Sequence, residues 1–183
     1  MKTAITDLLG IDMPILLPGM SWISTPELVA AVSNAGGLGI LASGPLTPAE
    51  TRESIQKIRQ LTDKPFGIGI TLLMPGAEEN ADIAIEEKVP VINFSLGKGD
   101  KLIERAHAYG AKVIATVVTE KHAQSAQKSG ADALLVTGHE AAAHGGDVTS
   151  LVLVPAISQA VDIPVIATGG FADGRGLVAA FSL

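Results

Sequence analysis

The sequence predicts an α/β fold built from stacked strand–helix–strand units, and three observations support this fold class. Short apolar runs alternate with helical patterns about seven times, at spacings of roughly 20 to 25 residues. No two of the predicted strands are close enough in the chain to be joined by a tight hairpin. Hydrophobic residues make up 47% of the chain and charged residues 17%, a composition that suits strands buried on both faces.

Seven apolar runs define the predicted strands, and glycine, proline or polar residues bound them. They cover residues 14–20, 38–42, 65–71, 89–94, 112–118, 133–136 and 164–168. The first run closes at Pro18 and Gly19, where a turn is expected. The third contains Gly67 and Gly69, which indicate a close backbone approach or a barrel interior with little room.

Helix-start signals follow several of these strands. Thr47 and Glu50 have the spacing of a capping box, and the helix that they begin carries Ile55, Ile58 and Leu61 on one face.

Other helix ends are predicted from single residues. Ser24 or Thr25 is expected to cap a helix that has Pro26 in its first turn, and Asp100 to cap a later one. A helix over 150–161 is expected to bend near Pro155.

Glycine at the strand ends distinguishes two α/β architectures. A doubly wound open sheet usually shows one dominant Gly-rich first turn. Here glycine recurs at Gly19, Gly97, Gly138, Gly169 and Gly170, which favours a (β/α)8 barrel whose ligand site is shared among many strand ends. Such a barrel is typically about 250 residues long. We therefore expect 1–183 to be a single, C-terminally truncated barrel domain that lacks strand eight and whatever follows it.

Composition argues against several classes of function. No apolar run reaches the roughly 18 residues that span a bilayer, and the N-terminus has no signal-peptide pattern. The chain has no cysteine, a net charge of −6 and 3% aromatic residues. These features predict a cytoplasmic protein without a disulfide framework and without a membrane or nucleic-acid partner.

The segment 136–147 carries the strongest indication of chemistry. An apolar run ends at Gly138, and His139 and His144 follow among small residues, with Gly145 after them. Catalytic groups of α/β folds collect at such strand ends, so His144 is a candidate base beside an anionic or planar ligand. The alternative is a flexible loop with two solvated histidines.

Neighbouring side chains add little to this interpretation. The two histidines are not accompanied by cysteine, and their spacing does not place them on one helix face, so no metal site is predicted. Asp147 is a candidate to orient His144, and Glu140 is a candidate pocket residue. His107 and His122 lie on polar helix faces and are interpreted as surface residues.

A second segment, 168–176, contains a glycine pair before a helix. Thr168, Gly169 and Gly170 end the seventh strand, and backbone N–H groups at such a turn bind phosphate. We expect one half of a cofactor phosphate site here. The alternative is a tight turn in which Asp173 acts only as a helix cap.

These two segments together resemble one known family. The stretches 138–146 and 167–176 are similar to the corresponding motifs of the nitronate monooxygenases, formerly 2-nitropropane dioxygenases. The stretches 14–20, 31–38 and 62–67 are similar to that family's first strand, first helix and approach to strand three. Flavin-dependent enoyl-acyl-carrier-protein reductases share nearly the same motifs.

The resemblance implies a TIM barrel with non-covalent FMN at its C-terminal face. Position by position, it implies that His144 is catalytic, as a general base or as electrostatic support for a nitronate. The residues that it assigns to the cofactor are Gly19, Met20, Ala142, Gly145, Thr168, Gly169 and Gly170.

The activity implied by the resemblance is oxidation of alkyl nitronates or nitroalkanes with O2 to a carbonyl compound and nitrite. Its partners would be these small molecules and O2, with a homodimer as one possible assembly. Two alternatives stay open: an enoyl reductase that uses NAD(P)H and an acyl-carrier partner, and a truncated barrel without catalysis.

Overall fold

The computed structural model describes residues 1–142 and 145–183. The described chain divides into two compact units, Met1–Val113 and Ile114–Leu183. Helices and strands alternate in each unit, as the sequence predicts.

The first unit contains four complete strands, and successive strands among these four pair in parallel. Its elements are α1 (Ala4–Leu9), β1 (Leu16–Leu17), α2 (Pro26–Asn34), β2 (Leu38–Ala42), α3 (Pro48–Leu61), β3 (Phe66–Thr71), α4 (Ala77–Glu86), β4 (Val91–Ser95) and α5 (Asp100–His107). The registers that fix the ladders are Leu16 opposite Leu38, Gly39 opposite Phe66, and Gly67 opposite Val91.

The core of the first unit lies between these strands and the helices that follow them. Strand β2 is buried at every position, as expected for a parallel strand covered on both faces. Ile55 and Ile58 of α3 have no exposed surface, which confirms the predicted apolar face. Leu61 was predicted on that face but is 39% exposed, because α3 ends at this residue.

Two glycines let the first strands approach closely. A Cβ atom on Gly19 would lie 3.3 Å from the carbonyl oxygen of Leu41 and 3.7 Å from the Cα atom of Gly69. A Cβ atom on Gly69 would lie 3.4 Å from the same carbonyl. The prediction of a close backbone approach in strand three is therefore confirmed.

Helix capping follows the sequence in one case and departs from it in others. Thr47 and Glu50 form the predicted capping box. Thr25 is the N-cap of α2 but makes no side-chain capping bond, and the hydroxyl of Ser24 bonds elsewhere. Asp100 is the first residue of α5 rather than its cap, a position in which its charge still complements the helix dipole.

The second unit repeats the same parallel pattern. Its elements are β5 (Lys112–Val117, which begins just before the boundary), α6 (Glu120–Lys128), β6 (Ala133–Thr137), α7 (Ser150–Ala160), β7 (Val165–Thr168) and α8 (Gly174–Ser182). Ile114 pairs with Ala133, and Leu134 pairs with Val165.

Burial decreases along this unit. Every residue of β6 is buried, every residue of β7 is half-buried, and α8 has no buried residue. Pro155 lies inside α7, where it removes one backbone donor. Of the helices formed by the described residues in either unit, none combines the length and apolarity needed to cross a membrane.

Candidate active site

The C-terminal end of β6 is held against the end of β7 and the start of α7. The N–H of Gly138 donates to the carbonyl of Thr168 at 3.0 Å. A Cβ atom on Gly138 would lie 2.1 Å from the Ser150 hydroxyl oxygen and 2.5 Å from the Ser150 nitrogen. Only glycine therefore allows this contact between the strand end and the first residue of α7.

Glu140 binds the same serine through one carboxylate oxygen. Its Oε2 accepts a 2.8 Å hydrogen bond from the backbone N–H of Ser150 and lies 2.9 Å from the Ser150 hydroxyl oxygen. The Ser150 N–H is the main cause that holds the pKa of Glu140 below its ordinary value. The carboxylate is ionised at neutral pH and provides an acceptor at the start of α7.

Ser150 also contacts the turn that follows β7. Its hydroxyl oxygen lies 2.7 Å from the carbonyl oxygen of Gly169 and 3.3 Å from that of Thr168. Ser150 is 4% exposed, so these contacts are shielded from water. The ends of β6 and β7 and the start of α7 thus meet at one side chain.

The glycine pair after β7 forms an open, donor-bearing turn. Gly169 and Gly170 have φ angles of 101° and 83°, in the left-handed region that favours glycine. No described residue accepts a hydrogen bond from the N–H of either glycine. Backbone donors at a strand end are what a phosphate group binds, so the residues present fit the phosphate of a mononucleotide.

Asp173 caps α8, as the alternative interpretation of the segment 168–176 predicts. Its carboxylate accepts hydrogen bonds from the N–H groups of Arg175 and Gly176 and pairs with the Arg175 guanidinium at 2.5 Å. The Arg175 side chain is the main cause that lowers the pKa of Asp173. The two helix donors nearest the cap are therefore already satisfied by Asp173 and are not open to a ligand.

The segment between β6 and α7 is held by two further contacts. His139 Nδ1 lies 3.1 Å from the carbonyl oxygen of Gly146, and the His139 N–H donates to the carbonyl of Val148. A Cβ atom on Gly145 would lie 2.8 Å from the Gly138 carbonyl oxygen. A neutral His139 with its proton on Nδ1 would leave Nε2 as an acceptor.

The structure describes most of the predicted site residues of this segment but not His144. Ala142 is exposed, and Gly145 is half-buried beside Gly138. His144 lies outside the described residues, and so does any contact between it and Asp147. Glu140, predicted only as a pocket residue, has its carboxylate on Ser150, a partner that the sequence did not indicate.

Histidines elsewhere in the chain behave as predicted. His107 and His122 are both exposed on their helices. Among the residues that the structure describes, no group of three histidine or acidic side chains could hold a metal ion.

In the first unit, the predicted cofactor residues Gly19 and Met20 lie in the loop after β1, separated from the strand by Pro18. The Ser24 hydroxyl accepts from the N–H of Met20 and donates to the carbonyl of Pro18, which closes the loop around them. Met20 is 37% exposed, so its thioether is accessible to a ligand.

Comparison with known proteins agrees with these observations. The family model for nitronate monooxygenase matches residues 2–87 and 76–183. FabK from Thermotoga maritima has the same fold with a TM-score of 0.97 and 49% identity over this whole chain and 58% of that one. Nitroalkane oxidase from Streptomyces ansochromogenes has a TM-score of 0.90 and 28% identity over 98% of this chain and 64% of that one.

A curated relative carries a different name. The (3aS,4S,5R,7aS)-5-hydroxy-7a-methyl-1-oxo-octahydro-1H-indene-4-carboxyl-CoA dehydrogenase of Rhodococcus jostii (strain RHA1) is 44% identical over 182 residues, which cover all of this chain and 52% of that protein. The chain thus spans about half the length of this curated relative.

The fold and its matches define a TIM-type α/β barrel protein, which confirms the predicted fold class. The chain belongs to the nitronate monooxygenase family.

Proposed function

We propose that the protein to which this chain belongs is an FMN-dependent oxidoreductase. Its reaction is the oxidation of alkyl nitronates, or of the nitroalkanes that yield them, with O2 to a carbonyl compound and nitrite. The observation that carries the proposal is the Gly169–Gly170 turn, whose backbone donors lie beside the segment that bears the candidate base. Family membership and the similarity to nitroalkane oxidase support this choice of substrate.

The backbone of the glycine turn would hold the FMN phosphate. Thr168 places the turn at the end of β7, and Gly169 and Gly170 supply the N–H donors. Ala142 and Gly145 lie in the segment that the resemblance assigns to the flavin. The resemblance also assigns Gly19 and Met20 to the flavin, and this assignment stays a prediction. When bound, FMN supplies the electron chemistry with O2 that no protein side chain performs easily.

His144 would act on the substrate rather than on the cofactor. A neutral imidazole near pH 7 can take the acidic proton next to a nitro group, and the resulting imidazolium can stabilise a bound nitronate. His139 is not assigned this role, because the resemblance matches His144, and not His139, with the catalytic histidine of the family.

Absorption and turnover together test this proposal. The purified protein to which this chain belongs should show flavin absorption, and released flavin should be FMN at near one equivalent. With propionate-3-nitronate or 2-nitropropane it should consume O2 and release nitrite. His144→Ala should lower turnover about 10²- to 10⁴-fold, the usual range for a general base, while the exposed His107→Ala control keeps it. A colourless protein that stays colourless with added FMN would contradict the proposal.

A second candidate follows from the relative of Rhodococcus jostii, whose name describes a dehydrogenase of a coenzyme A ester. At 44% identity, this similarity favours an acyl thioester as substrate. The enoyl-reductase alternative implies a substrate of the same class. The discriminating measurement is anaerobic mixing of the flavin-loaded protein with NADH or NADPH. Rapid bleaching of the flavin by NADH or NADPH, together with no nitronate turnover, would replace the first candidate by an enoyl reductase that acts on an acyl thioester.

A further inference from the structure

We propose that Glu140 and Ser150 are positioning residues that hold the Gly169–Gly170 turn in the shape that binds the phosphate of FMN. We call this pair the Glu140–Ser150 clasp. The inference rests on the proposed function for the identity of the phosphate ligand. It assigns a role to two residues that do not themselves touch the cofactor.

The Ser150 hydroxyl lies among three acceptor oxygens. One hydroxyl hydrogen can serve one acceptor at a time, and three acceptor oxygens lie within 3.3 Å of Ser150 Oγ. The shortest contact, 2.7 Å, is to the Gly169 carbonyl. We assign the hydroxyl hydrogen to Gly169, the nearest of the three acceptors, while Glu140 stays bound to the Ser150 N–H.

Gly138 and Glu140 together fix the position of Ser150. Ser150 packs directly against Gly138, because the place of a Cβ atom on Gly138 is 2.1 Å from Ser150 Oγ. Glu140 fixes the Ser150 backbone through a 2.8 Å bond to its N–H. The serine is therefore held from two sides before it contacts the turn.

The Gly169–Gly170 turn packs against the clasp. A Cβ atom on Gly169 would meet the Ala141 nitrogen and Ser150 Oγ, each at 3.1 Å, and one on Gly170 would meet the Glu140 Cβ at 3.3 Å. Both glycines thus pack on the clasp or its neighbour, while no described residue takes their N–H groups. The clasp orders the backbone of the turn and leaves its donors for a phosphate.

A comparison of FMN and riboflavin binding distinguishes this role from a general effect on folding. FMN and riboflavin differ by the phosphate alone, so a disordered turn weakens FMN binding and leaves riboflavin binding unchanged. For Ser150→Ala we expect the FMN Kd to rise about three- to tenfold, the worth of one hydrogen bond, with riboflavin within twofold of wild type. Glu140→Ala should have at least this effect, and Glu140→Gln a smaller one because its amide oxygen still accepts.

Two matched controls accompany these variants. Ser158→Ala removes an exposed serine from the same helix, and Glu53→Gln neutralises an exposed carboxylate of the first unit. Neither should change the FMN Kd. An unchanged or lower FMN Kd in Ser150→Ala and Glu140→Ala, or an equal loss of riboflavin, would overturn the inference.

A measurement without cofactor makes the two proposals independently testable. Amide hydrogen exchange of the apo protein should accelerate at residues 168–172 in Ser150→Ala and Glu140→Ala, but not in the controls. If wild type bound no FMN and this acceleration were seen, the proposed function would fail and the clasp would stand as an organiser of the turn. Unaltered exchange at the turn would refute the clasp, whatever the cofactor result.

Discussion

The hydroxyl of Ser24 donates a 2.7 Å hydrogen bond to the carbonyl of Pro18 and accepts a 3.0 Å bond from the N–H of Met20. Ser24 is 3% exposed, and its backbone carbonyl receives the N–H of Ala42. One buried side chain therefore closes the loop after β1 and joins it to β2.

Removal of this hydroxyl should destabilise the protein. Ser24→Ala leaves the Met20 N–H and the Pro18 carbonyl without their partner, and the expected cost in the free energy of unfolding is about 1–3 kcal/mol. Urea denaturation measures this difference. The exposed Ser21→Ala, three residues away in the same loop, is the control and should stay within about 0.5 kcal/mol of wild type. Equal stability of the two variants would show that the Ser24 bonds contribute nothing net.

Two glycines of the second unit should respond in opposite ways to alanine. Gly138→Ala places a methyl group 2.1 Å from Ser150 Oγ, and the displaced helix start should cost about 2–4 kcal/mol or prevent folding. The methyl group added by Gly174→Ala, at the start of α8, meets no atom within 4 Å. This variant should therefore raise the free energy of unfolding by about 0.4–1 kcal/mol. Thermal melts of both variants test the pair. A Gly138→Ala protein as stable as wild type would show that Ser150 can move away.

Glu87 joins helices α3 and α4 through two arginines. Its carboxylate contacts Arg52 at 2.5 Å and Arg59 at 2.8 Å, and its side chain is 15% exposed. Glu87→Ala should destabilise by about 1–2 kcal/mol, because a shielded network is worth more than a single exposed pair. Glu86 pairs with Arg52 from a side chain that is 60% exposed, so Glu86→Ala should cost less than about 0.5 kcal/mol.

Salt concentration distinguishes this ionic contribution from packing. In 1 M NaCl the difference between Glu87→Ala and wild type should shrink, since salt screens charges over about 3 Å at that concentration. A cost that is independent of salt would mean that the side chain stabilises by its contacts and not by its charge.

Tyr109 should titrate at unusually high pH. Its hydroxyl donates to the carbonyl of Val89 at 2.9 Å, and burial raises the pKa of Tyr109 to about 12. Since the unfolded value is about 10, the stability contributed by the neutral phenol is complete below about pH 10 and is lost as pH rises through about 12.

This prediction has a direct readout, because Tyr109 is the one tyrosine of the sequence. Ultraviolet absorbance of tyrosinate should report a midpoint near 12 in the folded protein and near 10 in urea. Tyr109→Phe should lose the signal and show a flatter dependence of stability between these pH values. A folded-state midpoint near 10 would mean that the hydroxyl is solvated.

The strands were predictable because buried parallel strands are continuous apolar runs. β2 was predicted with both of its ends, since Gly37 and Ser43 interrupt the apolar run on either side. The first run was predicted over 14–20, but β1 is only Leu16–Leu17 because Pro18 cannot donate to a ladder. The six-residue helix α1 was not predicted: Thr6, rather than a glutamate or glutamine, completes its capping box with Thr3.

The site was predictable only where local sequence carries the chemistry. Glycines at strand ends indicated the turn at Gly169 and Gly170, and Asp173 was recognisable as a cap. Ser150 had no local signal, because its importance comes from contacts with residues 10 and 19 positions away in the chain. A serine at a helix start resembles any other until the partner turn is known.

Within each unit, every described ladder joins a strand to the next strand along the chain. Each new strand therefore finds its partner at the growing edge, after closure of a short loop, and no strand must wait for a distant segment. Such an order suits assembly during synthesis, one strand and one helix at a time from the N-terminus. The ribosome releases the chain in the same order in which its sheets can grow.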